Sequence, residues 1–143
     1  MKRSLTLLGL ALLLAAPTLA SAGEAPTAAR GAEAKGSPQL SVRFILRTVN
    51  GKPVELRRFR FLRLEATCKG GTSVRIKGKV SRIKVKGNKT FRHIIKRKGK
   101  SVRIEGRVRG GGSRVTGFLR AKGKFGGQTG CDSGKVRWKA TRA

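Results

Sequence analysis

Within its basic C-terminal part, few side chains of this sequence offer chemistry beyond positive charge: His93, Cys68, Cys131, Asp132, Ser133, Glu55, Glu65 and Glu105. His93, Asp132 and Ser133 are the raw material of a hydrolytic triad. However, Gly130-Cys131-Asp132-Ser133-Gly134 lacks the G-x-S-x-G spacing that seats a nucleophile on a strand-to-helix elbow, so Asp132-Ser133-Gly134 reads as a turn. Gly117 and Gly123-Lys124 approach a phosphate loop, but five residues lie between the glycines instead of four, and Phe125 stands where Ser or Thr would bind magnesium. One histidine and scattered carboxylates cannot furnish a tetrahedral zinc site or the oxygen cage of calcium. No two acids stand close enough in sequence for glycosidase-type acid/base work. The expectation is therefore a non-catalytic protein, with no metal, no cofactor and no small-molecule substrate.

The context of the two cysteines is set by the amino terminus. Lys2 and Arg3 precede an apolar run from Leu5 to Ala16, and Ala20-Ser21-Ala22 supplies a small-x-small site. This pattern is a secretory signal with cleavage expected after Ala22. The apolar run rises only about 18 Å as a helix, short of a bilayer core of roughly 30 Å, so no membrane span is expected in the mature chain. Residues 23–39 hold no Val, Ile, Leu or aromatic side chain and read as a flexible linker. Residues 40–143 form the domain, with 31 basic and four acidic residues and a formal charge of +27. In an exported chain, Cys68 and Cys131 pair rather than react, and the loop they close is worth about 4 kcal/mol of unfolded-chain entropy. A nucleophilic Cys131 beside His93 is the lesser reading.

Periodicity in the domain is two. Val74, Ile76, Gly78 and Val80 alternate with Arg75, Lys77 and Lys79, and Val102, Ile104, Gly106 and Val108 alternate with Arg103, Glu105, Arg107 and Arg109. Further alternating runs span residues 40–49, 54–68, 83–86, 115–121 and 136–140. Turn signals separate them at Asn50-Gly51, Gly70-Gly71, Gly87-Asn88, Gly110-Gly111-Gly112 and Gly126-Gly127. The pattern predicts an all-β fold, an antiparallel β-sandwich of about 7–9 short strands with one disulfide, or else a small closed barrel. The apolar set changes parity from Phe59 and Phe61 to Leu62, Leu64, Ala66 and Cys68, which places a bulge near Phe61-Leu62. The segments SVRIKGKV and SVRIEGRV, 28 residues apart, agree at six of eight positions, but the match ends with the window and is read as shared composition.

Several of these blocks together resemble small exported all-β domains of actinobacteria. They are Phe59-x-Phe61 to Cys68-x-Gly70-Gly71, Ile83-x-Val85-x-Gly87, Val115-Thr116-Gly117-x-Leu119, and the ending Cys131-Asp132-Ser133-Gly134-x-Val136-x-Trp138-x-Ala140. The resemblance covers residues 40–142 and implies an antiparallel domain, a Cys68–Cys131 bridge and a cell-envelope or extracellular setting. It brings no catalytic residue, and this chain departs from the family in its extreme basicity.

Charge is the informative feature. Arg75, Lys77, Lys79, Lys84, Lys86, Arg103, Arg107, Arg109, Arg120, Lys122, Arg137 and Lys139 alternate with apolar residues, so the solvent faces of the strands should be cationic. A merely solvated face mixes signs, and like charges opposite one another destabilise a strand pair. These twelve side chains are the expected contacts to an anionic polymer or surface, such as cell wall, acidic polysaccharide or extracellular nucleic acid. Phe118 lies on the opposite face from Val115, Gly117 and Leu119 and is the ring expected to face outward. A structural or protein-interaction module of the envelope is the alternative. The sequence leaves the oligomeric state open.

Overall fold

The structure, a computed structural model, describes residues 27–30 and 40–142. The expected signal peptide, residues 1–22, lies outside the described residues. The described residues form nine strands: β1 (Thr27–Arg30), β2 (Ser41–Val49), β3 (Lys52–Thr67), β4 (Ser73–Lys84), β5 (Thr90–Arg97), β6 (Lys100–Arg109), β7 (Arg114–Phe125), β8 (Gln128–Asp132) and β9 (Val136–Arg142). A 3₁₀ turn, Gly110–Gly112, joins β6 to β7.

All pairings are antiparallel, and the strands form one sheet in the order β4-β3-β2-β1-β9-β7-β6-β5. The sheet curls so that the layer β2-β3-β4 covers the layer β5-β6-β7-β9, and β8 joins the two by pairing with both β3 and β7. The expected all-β, disulfide-linked fold is therefore present, in a form between the two architectures considered. Its layers are halves of one sheet, and the sheet stops short of a barrel because its end strands, β4 and β5, meet only at the bridge Val85↔Phe91.

Four residues of the segment expected to be a linker form β1, whose backbone lies between β2 and β9 and joins the two layers. Composition gave no sign of this. Strand β4 runs unbroken through two runs that the sequence separates. Arg82 is exposed and Ile83 buried, so the inward set passes from Val80 to Ile83 with two outward residues between them.

Turn chemistry matches the residues that make it. Asn50 and Gly51 both take positive φ (49° and 71°) between the partners Val49 and Lys52, the backbone that an Asn-Gly hairpin requires. The expected bulge in β3 is also present, since the β3/β4 register shifts between Phe61 and Leu64. Its details differ from expectation: Leu62 is exposed, so the inward set is Phe59, Phe61, Leu64, Ala66 and Cys68. A further shift against β2, between Arg43 and Ile45, accommodates an extra β3 residue at Arg58. Arg58 and Arg63 both hold left-handed backbone, φ 50° and 60°, which costs a non-glycine residue about 1–2 kcal/mol.

The core is a cluster of rings seated on glycines. Phe61 pairs with Gly78, Phe91 with Gly106, and Trp138 with Gly117, while Gly106 and Gly117 face each other. A Cβ on Gly117 would fall 2.8 Å from the Trp138 ring, and one on Gly106 would fall 2.5 Å from Phe91. With no side chains between them, Phe91 and Trp138 lean across two intervening strands to within 6.2 Å of each other. Trp138 also packs against Phe44 and Phe59, which ties the layers together. The two similar segments thus share a physical motif, a strand glycine beneath a cross-strand phenylalanine.

Candidate functional site: a cationic outer face

Curling the sheet directs alternate side chains of both layers outward, and most of those outward residues are Lys or Arg. The expected contact residues divide between the layers. Arg75, Lys77, Lys79 and Lys84 project from β4 with Lys86 just beyond it, whereas Arg103, Arg107, Arg109, Arg120, Lys122, Arg137 and Lys139 lie on β6, β7 and β9. They do not form one patch, because the core separates the two layers.

Four of the twelve are held by acids. Arg75 pairs with Glu65 (3.7 Å), Arg103 with Glu105 (2.5 Å), and Arg120 and Lys122 with Asp132 (2.8 and 3.6 Å). Glu105 also binds Arg92 at 3.0 Å. Glu55 is roofed by three arginines: Arg57, Arg82 at 3.2 Å and Arg47 at 3.5 Å. Burial pushes the Glu55 carboxyl toward the neutral form. The hydrogen bond from Arg57 and the charges of Arg57, Arg82 and Arg47 outweigh that and hold its pKa below the ordinary value.

Asp132 is bound still more firmly. The Arg120 guanidinium donates to both of its oxygens (3.2 and 2.8 Å), and the Gly134 N–H donates to Oδ1 at 2.8 Å. Arg120 is the main reason its pKa falls to about 2; burial opposes this, and Gly134 and Lys122 add to it. A carboxyl depressed in the folded state stabilises fully above its unfolded pKa, near 3.8, and this contribution is lost as pH falls toward about 2. Thermal unfolding should therefore show wild type and Asp132→Asn separated at about pH 5 and converging by about pH 2. A gap that stays constant would disprove this role for the ion pair.

Ser133 and Cys131, two of the residues weighed for chemistry, make contacts that belong to the fold. The Ser133 hydroxyl accepts from the Ala121 N–H (2.8 Å) and donates to the Gly134 carbonyl (2.8 Å), which makes it part of the turn before β9. Cys131 is bonded to Cys68, and no cysteine is free. No cluster of metal-binding side chains occurs among the described residues.

The structure also brings together residues that the list of expected contacts omits. Arg43 on β2 lies opposite Arg60 on β3, and Arg60 lies opposite Lys79 on β4. All three are exposed, and they form a cationic row across three adjacent strands with no acid partner among the described residues. Neighbouring strands are only about 4.8 Å apart, so the charges crowd one another. On the other layer, Arg109 faces Arg114 in the same way. Phe118 is half-buried on the outer face, and the Lys135 ammonium lies 5.1 Å from its ring centre.

These features define the class of molecule: a disulfide-bridged, single-sheet β domain whose convex surface carries rows of unpaired cations. Comparisons with family models, curated proteins and solved structures returned no match, so the functional reading rests on the chain's own residues.

Proposed function

We propose that the protein is an exported, non-catalytic domain that holds anionic polymers on its outer strand faces through many-site electrostatic contact. The observation that carries this reading is the Arg43–Arg60–Lys79 row. Like charges in register on adjacent strands weaken the pairing by tenths of a kcal/mol each, and a chain of carboxylates, sulfates or phosphates laid across them reverses that term. The left-handed Arg58 and Arg63 support the reading. Both sit at bulges beside the row, where backbone strain is retained and a basic side chain is directed outward.

The rings favour acidic polysaccharide or teichoic-type polymer over single-stranded nucleic acid. Base stacking needs exposed aromatic faces, whereas Phe44, Phe59, Phe61, Phe91, Phe125 and Trp138 are in the core and Phe118 is covered by Lys135. Export is supported by the disulfide, which persists in oxidising compartments.

The test is retention of the purified protein on cell wall, a heparin-like polysaccharide and DNA across a salt series from about 50 to 500 mM. The expected result is steep salt dependence with strongest retention on one of the two non-nucleic polymers. Absence of binding to any of them at low salt would overturn the proposal and favour a protein partner in the envelope.

A further inference from the structure

The seam between β4 and β5 is open. These end strands meet at Val85 and Phe91 and diverge from there, leaving a cleft of about 290 Å³ between residues 76–79 of β4 and 95–102 of β5 and β6. Its interior is apolar, made by Phe61, Ile76, Ile95, Val102 and Phe125. Its rim is cationic, made by Lys77, Lys79, Arg97 and Lys100, and no carboxylate lines it.

Core exposure independently marks the same place. Among the buried apolar residues only Ile76 (6 %), Val102 (6 %) and Phe125 (8 %) retain more than 4 % of their surface, and all three line this cleft. The Lys100 ammonium stands 5.6 Å from the centre of the Phe125 ring, at the boundary between rim and interior.

A small apolar cavity with a ring of positive charge at its mouth complements a molecule that is apolar at one end and anionic at the other. At about 290 Å³ it lies just below the usual range of ligand pockets, roughly 300–1,000 Å³, a size that suits one slender chain. We infer that the β4/β5 seam binds a single-chain anionic amphiphile, with the chain against Ile76, Ile95, Val102 and Phe125 and the head group at Lys77, Lys79, Arg97 and Lys100. The site shares Lys79 with the polymer-binding row and Lys77 with the other expected polymer contacts, so the variant that tells the two readings apart is one that fills the apolar interior without changing charge.

Calorimetric titration of the intact, oxidised protein with monomeric laurate tests the inference, with dodecyl phosphate to compare head groups and dodecyl maltoside as the uncharged control. The expected result is saturable binding of one equivalent of laurate. Lys77→Gln with Arg97→Gln should weaken it about tenfold or more, at about 1 kcal/mol per cation, and Ile95→Phe, which fills the cleft, should abolish it. Ile95→Phe should leave salt-dependent retention on heparin unchanged, so that failure here and failure of the polymer reading are told apart.

Methyl NMR of the wild-type protein gives a readout that needs no variant to fold: laurate should shift Ile76, Ile95 and Val102 first. The inference is overturned if dodecyl maltoside binds as tightly as laurate, if shifts spread over the outer strand faces, or if an acidic extended peptide binds in the seam and laurate does not.

Discussion

Replacing Arg43, Arg60 and Lys79 together by glutamine is expected to lower affinity for an anionic polysaccharide by on the order of a hundredfold near 50 mM salt, while the melting temperature stays level or rises. Each basic residue against an anionic surface contributes about 1 kcal/mol, and three of them give a factor of that order. Stability moves the other way because the native row is self-repelling: Arg60 has a cation opposite it on each side and pairs with no acid among the described residues. The salt dependence of binding should fall by roughly two to three in logarithmic slope as those contacts disappear. Arg47, Arg57 and Arg82 make the matched control. The same triple change there removes the same charge from the same layer, but it strips the partners from Glu55 and leaves a buried carboxylate uncompensated, so that variant should be destabilised. Fluorescence anisotropy with a labelled heparin-type oligosaccharide, alongside thermal unfolding of both variants, checks the pair of outcomes. A loss of affinity no greater than that from Arg107→Gln, Arg137→Gln and Lys139→Gln would disprove the special role of the row.

The row illustrates what alternation can and cannot reveal. Arg43 is recognisable as an outward residue, but its partner is not. Counting back from the Asn50-Gly51 turn, where Val49 meets Lys52, an unbroken ladder would set Arg43 opposite Arg58. Two register shifts move the pairing by two residues and bring Arg60 there instead. The bulge at Arg58 is not visible in Arg57-Arg58-Phe59-Arg60, because two adjacent basic residues read equally well as a turn, a strand edge or a bulge. Charge type was therefore legible on the outer faces, and charge adjacency was not.

The same limit governs the strands. β2, β6, β7 and β9 are plain in the sequence because apolar residues recur at every second position along each and that set is the one turned to the core. β5 is obscured by Ile94, which is 40 % exposed: with an apolar residue on the wet side, the simple alternation of Phe91, His93 and Ile95 reads as irregular. β8 (Gln128-Thr129-Gly130-Cys131-Asp132) has almost no apolar content, and its place depends on pairing with β7 and on the bridge to Cys68. β1 depends wholly on backbone pairing to both neighbours, a property that side-chain composition does not encode. The cleft at the β4/β5 seam was hidden for the same reason, since a strand at residues 91–95 whose inward face is undecided offers no wall to set against β4.

Reduction of the Cys68–Cys131 bridge, or its replacement by paired alanines, should cost about 4 kcal/mol and lower the melting temperature by roughly 15–30 °C, the largest single effect expected in this chain. The cross-link joins residues 63 positions apart, so the chain entropy it removes from the unfolded state is large. β8 is paired firmly to β7, but little else ties it to β3. Between β3 and β8 there is one ladder pair, Thr67↔Asp132, supported by the Lys69 N–H donating to the Thr129 carbonyl at 3.0 Å. The bridge also anchors the hairpin in which Phe125 pairs with Gln128, and Phe125 is a wall of the apolar cleft. Loosening β8 should therefore affect the cleft before it affects the cationic row, which lies on strands paired through β2, β3 and β4. Measured under conditions where the reduced protein is still folded, laurate affinity should drop sharply on reduction while heparin retention persists. Equal loss of both would mean that the bridge supports the whole sheet and not one end of it.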